Sequence, residues 1–221
     1  MSSSASVIVQ KPQGQAAQLV LLFHGVGGQP ANMVPLGQML AVQFADALIV
    51  SVAGPLAADF GVGHQWFSVR GVTEENRPAR VAAALPAFEQ SVRRWQRESG
   101  VAPEATVLIG FSQGAIMALE ASRAGRFLAG RIVSIGGRYA QLPQQAPQRT
   151  TIHFLHGKGD PVMHYGNAVA AAETLAALGG GMTIDVVPHA GHEISAEMPA
   201  LLLQRIGIDP FRPAAPSAVA G

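Results

Sequence analysis

The stretch Gly110-Phe111-Ser112-Gln113-Gly114 constrains this chain more than any other. An apolar run, Thr106-Val107-Leu108-Ile109, leads into it, and a segment rich in helix formers, Ala115-Ile116-Met117-Ala118-Leu119-Glu120-Ala121, leads out. A Gly-x-Ser-x-Gly between a strand and a helix reads as a nucleophile elbow, a sharp turn that lifts the serine hydroxyl above a sheet. The backbone of such a turn is crowded, so the positions two before and two after the serine must lack bulk. Gly110 and Gly114 meet that need, and the small Ala115 fits it too. The helix that follows directs its free N–H groups toward the space above Ser112.

The rest of the chain repeats the strand-then-helix alternation. Val7 to Gln10 reads as a short edge strand. Gln18-Leu19-Val20-Leu21-Leu22-Phe23 and Ala47-Leu48-Ile49-Val50-Ser51-Val52 are continuous apolar runs, as strands buried on both faces require. Between them, Asn32 to Phe44 carries apolar residues at helical spacing. Residues 53–76 show no clear periodicity, hold four glycines and one proline, and form the longest irregular segment; loops of that length are often functional. Arg77 to Ser99 reads as a long helix, with Pro78 in its first turn, Gly100 as its stop and Pro86 as a predicted kink or break. Arg131 to Ile135 and Thr151 to Leu155 are further strands, separated by a Pro- and Gln-rich loop over 138–149. Tyr165 to Leu178 is an Ala-rich helix, Met182 to Val187 the last strand, and a final helix is expected from about Glu193 to Ile206. This order predicts an α/β fold, a doubly wound and mainly parallel sheet with helices on both faces. Hydrophobic residues at 48% and charged residues at 13% supply the apolar balance such a sheet needs. Residues 1–208 are expected to form a single domain, and the Pro/Ala-rich 209–221 a mobile tail.

Composition removes several function classes. A formal net charge of +1 gives no electrostatic case for nucleic acid. Without any cysteine, disulfides, thiolate catalysis and Cys-ligated zinc are excluded. The N-terminus has no basic region followed by a long apolar core, so it does not read as a secretory signal. No apolar stretch is long and unbroken enough to span a membrane, and a soluble cytoplasmic protein is expected. His64, His153, His156 and His164 show no spacing that compels a metal site, and neither metal nor cofactor is assigned.

In open parallel sheets, chemistry gathers at the carboxyl ends of the strands. Four such ends carry distinctive groups here: the loop His24-Gly25-Val26-Gly27-Gly28, Ser112, Asp160 and His192. Ser…Asp…His is the chain order of the α/β-hydrolase triad. A serine needs a neighbouring base. His192, after the last strand and beside the flexible Gly191, is the candidate, with His189 as competitor. Asp160 is the candidate for orienting the imidazole and stabilising its charged form. Of the five aspartates only it follows a strand, between elbow and final histidine, in a Gly-rich turn; Asp185 lies inside a strand pattern. An oxyanion hole needs two N–H donors aimed where negative charge develops; the amides of Gln113 and Val26 are the candidates. The glycine loop lacks both the Walker lysine pattern and Gly-x-Gly-x-x-Gly spacing, which argues against a phosphate cradle. His24 is expected to brace its loop rather than act as a base. Trp66, in the long irregular segment, is a candidate for the acyl pocket, with plain core packing as the other reading.

With these pieces placed, the chain resembles the phospholipase/carboxylesterase family of α/β-hydrolases, which includes the acyl-protein thioesterases. The matching residues are Leu22-Phe23-His24-Gly25-Val26-Gly27, Gln65-Trp66-Phe67, Gly110 to Ala115, His156-Gly157 through Asp160-Pro161-Val162, and Gly191-His192-Glu193-Ile194. The resemblance implies an α/β-hydrolase fold without a large lid and hydrolysis of small-molecule acyl esters by a Ser-His-Asp triad, often with tolerance for thioesters and without a cofactor. Members commonly carry Trp-Phe-Asp where this chain has Trp66-Phe67-Ser68. Three readings stay open at this point: a serine carboxylesterase for short- to medium-chain esters, an acyl thioesterase, and a non-catalytic binding protein of the same fold. A covalent serine trap separates the last from the first two.

Overall fold

The computed structural model describes residues 5–123 and 127–207. The chain runs through β1 (Val7–Gln10), β2 (Gln18–Phe23), a 3-10 turn and α1 (Val34–Gln43), then β3 (Ala47–Val52), β4 (Leu56–Ala57) and β5 (His64–Gln65). It continues through α2 (Arg77–Ser99), β6 (Thr106–Phe111), α3 (Gln113–Arg123) and β7 (Arg131–Ile135). β8 (Thr151–Gly157), α4 (Gly166–Ala177), β9 (Met182–Val187) and α5 (Met198–Ile206) complete it. Seven strands form one sheet in the order β1-β3-β2-β6-β7-β8-β9; β1 is antiparallel at one edge and every other pairing is parallel. β4 and β5 make a separate small hairpin.

Alternation along each strand explains the two cores, because successive side chains point to opposite faces. Leu19, Leu21 and Phe23 of β2 join Leu108, Phe154 and the inner faces of α2, α3 and α4. Val20 and Leu22 join Ile49, Ile109, Val133 and the inner faces of α1 and α5. Helices thus cover both faces, and the central strands read as near-continuous apolar runs because neither face meets water. The winding reverses between β2 and β6, its two central neighbours. A crevice opens outside the carboxyl ends of two such strands, and these are the ends that carry the His24 loop and Ser112.

Three local expectations are revised. Of the kink or break expected at Pro86, the break does not occur: α2 runs on through it, and buried Val81 on one side and Phe88, Val92 and Trp95 on the other hold it in place across the missing hydrogen bond. α5 begins at Met198 rather than near Glu193, which leaves Pro199 in the first turn, where its absent N–H costs nothing. The irregular segment 53–76 contains the β4–β5 hairpin, whose two-residue strands are too short to show alternation. The tail expected over 209–221 lies outside the described residues. Among the described residues no helix is long and apolar enough to cross a membrane.

Candidate active site

Ser112 has φ +53°, in the left-handed region that side chains with a Cβ rarely adopt. Such a conformation costs on the order of 1–3 kcal/mol and persists only where the surroundings enforce it. Here the Ser112 N–H donates to the Ile135 carbonyl at 2.9 Å, and the Ser112 carbonyl accepts from the Ile116 N–H at 3.1 Å, the first bond of α3. Space enforces it further. A Cβ on Gly110 would lie 2.4 Å from the Ala115 nitrogen, and one on Gly114 would lie 2.4 Å from the Phe23 carbonyl oxygen. The elbow therefore packs backbone to backbone against the end of β2.

The loops after β8 and β9 bring the other two candidates to it. His192 Nε2 lies 2.9 Å from Ser112 Oγ, and His192 Nδ1 lies 2.7 Å from Asp160 Oδ2. An ionised carboxylate only accepts, so Nδ1 carries the proton and Nε2 is free to accept the serine O–H. The Phe111 ring packs against the imidazole at 5.1 Å between centroids. Asp160 Oδ1 accepts the N–H groups of Val162 and Met163, both at 2.8 Å. Burial by itself would raise the Asp160 pKa; the hydrogen bonds from His192, Met163 and Val162 outweigh it, and the net shift is downward. His189 is exposed, and the Asp185 carboxylate is held by Arg205 through two N–H donors at 2.7 and 2.9 Å. The structure thus brings together Ser112, His192 and Asp160, and neither competitor.

The glycine loop is fastened from three sides. His24 donates from Nδ1 to the Gly25 carbonyl at 2.7 Å and accepts the Gly54 N–H on Nε2 at 3.0 Å. Burial holds its pKa below the ordinary histidine value, which suits this neutral tautomer. The Trp66 Nε1–H donates to the His24 carbonyl at 2.8 Å. The β4–β5 hairpin adds a two-way bridge: the Gly27 N–H donates to the His64 carbonyl at 2.9 Å, and the His64 N–H to the Gly28 carbonyl at 2.8 Å. The contact is so close that a Cβ on Gly63, at φ +108°, would meet the Gly27 oxygen at 2.3 Å. Among the described residues, the Val26 and Gln113 amides have no hydrogen-bond partner within the protein. A groove of about 490 Å³ lies over this loop, walled by Val26, Met33, Phe111, His192 and Ile194.

Trp66 is 3% exposed and packs edge-on against Phe23 and Phe88. It also walls, with Pro55, Leu56, Phe67 and Ala84, a second and mainly apolar cavity of about 390 Å³. The Gln113 side chain ties this wall to the elbow, accepting the Trp66 N–H at 2.8 Å and donating to the Phe67 carbonyl at 2.7 Å. Ser68 donates its hydroxyl to Asp59 Oδ2 at 2.8 Å. That oxygen also accepts the Val69 and Arg70 N–H groups, and Asp59 Oδ1 accepts from Gln65 Nε2. The carboxylate that gathers this loop thus comes from nine residues earlier in the chain. Reading the sequence missed Asp59, the hairpin bridge and the Gln113 side chain. The glycines at 61 and 63 were the one local signal that a tight turn was there. Among the described residues no group of three or more His, Cys, Asp or Glu side chains is arranged to hold a metal ion.

Comparison with known proteins identifies the family and the fold. Residues 4–206 match the model of the phospholipase/carboxylesterase family. The chain is 52% identical over 187 residues to the esterase YpfH of Escherichia coli K12, covering 85% of this chain and 81% of that one. It is 31% identical over 108 residues to acyl-protein thioesterase 1 of Gibberella zeae, covering 45% of this chain and 46% of that protein. The crystal structure of esterase PE8 superposes with a TM-score of 0.80 at 24% identity, covering 93% of this chain and 97% of that one, and shows the same fold. With its mainly parallel sheet and helices on both faces, this chain belongs to the phospholipase/carboxylesterase family of α/β-hydrolases.

Proposed function

We propose that the chain is a serine carboxylesterase acting on short- to medium-chain acyl esters. The observation that carries this reading is the continuous hydrogen-bonded line from Ser112 Oγ through His192 to Asp160, beside an open groove at the carboxyl ends of the strands. The Ser112 hydroxyl attacks the acyl carbonyl carbon as His192 Nε2 takes its proton, and Asp160 stabilises the imidazolium. The negative oxygen of the tetrahedral adduct is received by the Val26 and Gln113 amides. His192 returns the proton to the departing alkoxide, leaving an acyl-serine. Water, deprotonated by His192, then attacks that ester; the acid leaves and Ser112 recovers its proton. The alternative substrate, a thioester, uses the same steps with a thiolate leaving group; the similarity to acyl-protein thioesterase 1 favours keeping it.

The acyl chain is assigned to the apolar cavity walled by Trp66 and Phe67, whose backbone is held by the residue next to the nucleophile. Each methylene taken out of water contributes about 0.8 kcal/mol. The gain stops where the chain leaves the cavity, so kcat/KM rises over short acyl chains and levels off at medium length. A paired series of esters and thioesters tests this, with Ser112→Ala as control. The control is expected to lose roughly 10⁶ in turnover; retention of a tenth of the wild-type rate sinks the serine mechanism. Trp66→Ala flattens the chain-length dependence. An unchanged profile returns Trp66 to core packing, and specificity that climbs through long lipid chains rejects the short cavity.

A further inference from the structure

A second histidine lies on the far side of the Asp160 carboxylate. His156, near the end of β8, is 1% exposed. Its Nε2 lies 2.7 Å from the Met163 carbonyl oxygen and 3.2 Å from Asp160 Oδ2. A carbonyl only accepts, so Nε2 carries the proton, and the ring makes this contact while neutral. The N–H is aimed at Met163, with Oδ2 resting against the same positive edge of the imidazole. Met163 in turn donates its N–H to Asp160 Oδ1 at 2.8 Å. His156, Met163 and Asp160 therefore close a ring, and Oδ2 faces two imidazoles, His156 and His192, at 3.2 and 2.7 Å.

We propose that His156 is a positioning residue of the triad, fixing the turn that carries Asp160 and drawing charge from the oxygen that His192 uses. This rests on the Ser-His-Asp reading above. Burial favours the neutral ring, holding the His156 pKa below the ordinary value. A second positive charge beside His192 is thereby avoided. Among the described residues, the titratable groups that face His156 are Asp160 from its own loop and His192 from the β9–α5 loop. With its negative charge facing the positive edges of two imidazoles, Oδ2 pulls less strongly on a proton at His192. Without the His156 donor, Asp160 is still held by the Val162 and Met163 amides. Its full charge then acts on His192 alone, which favours the imidazolium.

The test is the pH profile of kcat/KM for an ester substrate in His156→Phe, which removes the donor at similar volume, and His156→Gln, whose amide reaches Met163. The rising limb of the Phe variant is expected to move upward by about half a pH unit or more, as the loss of one partner from a charged group implies. The Gln variant returns toward wild type. The inflection is read independently of plateau height, so activity lost through packing does not mimic the effect. If the Phe chain does not fold, His156→Asn, too short to reach Met163, takes its place. A limb that stays put or moves downward in the donor-free variant overturns the proposal, as does a Gln variant shifted as far as Phe. Failure of the underlying serine reading is seen separately, as turnover retained by Ser112→Ala.

Discussion

Asp160 and Asp59 are both acidic residues at which a loop is gathered, and they differ in what their second oxygen meets. Each takes two backbone N–H groups on one oxygen: Val162 and Met163 for Asp160, Val69 and Arg70 for Asp59. The Ser68 hydroxyl and the Gln65 amide complete the Asp59 shell, so every partner is neutral and local, within eleven residues. The remaining oxygen of Asp160 instead faces His192, 32 residues away in the chain on the loop after β9, with His156 on its other side. The first arrangement can only hold a loop in shape. The second holds a loop in shape and, on the function proposed above, also sets the tautomer of the base. Hydrogen bonds hold both carboxylates below the usual range, with that of Gln65 foremost at Asp59, where the value falls to about 2. A depressed carboxylate pKa therefore does not tell a catalytic acid from a structural one; the identity of the partner does.

Breaking the comparison begins at Asp160. Asp160→Asn keeps an oxygen for the Val162 and Met163 amides but can leave His192 in the wrong tautomer, and turnover is expected to fall by ~10⁴ with the melting temperature little changed. Steady-state kinetics beside a thermal melt checks both halves. Asp59→Asn is expected to behave the other way round: a lower melting temperature and at most a ~10-fold loss of kcat/KM, since its loop supports Trp66 and Phe67 without touching Ser112. The sign of its pH dependence follows from the depressed pKa. The Asp59 contribution is complete above the ordinary Asp pKa and is lost as pH falls through about 2. The melting-temperature gap between wild type and Asp59→Asn is accordingly constant above about pH 5 and narrows as pH drops toward 2. A gap that widened with acid would contradict the assignment.

The smallest expected effect belongs to Asp185, which pairs with Arg205 at the β9 edge of the sheet. Asp185→Asn is expected to change turnover less than twofold and stability by ~1 kcal/mol at most, as for a partly exposed ion pair. If Asp185→Asn and Asp160→Asn exchanged phenotypes in the same assay, the acid would have been chosen wrongly.

What could be read in the sequence follows from how local each signal is. Strands β2, β3 and β6 were legible because burial on both faces leaves continuous apolar runs, and Ser112 because Gly110 and Gly114 are demanded by contacts under 3 Å. The separation of Asp160 from Asp185 rested on chain order, and the geometry that pairs one with His192 and the other with Arg205 comes from strands β8 and β9 lying side by side. The β4–β5 hairpin was not legible. Two-residue strands show no period, and the hairpin is fixed by backbone bonds to Gly27 and Gly28, which leave no pattern in side chains. The start of α5 was misplaced: the helix begins at Met198, while Glu193 and Ile194 wall the groove instead. Asp59 was passed over because half of its carboxylate's partners are main-chain N–H groups, which any sequence supplies.

The central claim is that Ser112 is made nucleophilic by His192. It is tested most directly by exposing the folded protein to a fluorophosphonate that reacts covalently with activated serines, then locating the adduct by peptide mass spectrometry. One adduct per chain is expected, on the peptide containing Ser112, absent in Ser112→Ala and formed far more slowly in His192→Ala. An unlabelled chain that still hydrolyses esters, or an adduct on another residue that survives Ser112→Ala, would contradict the account.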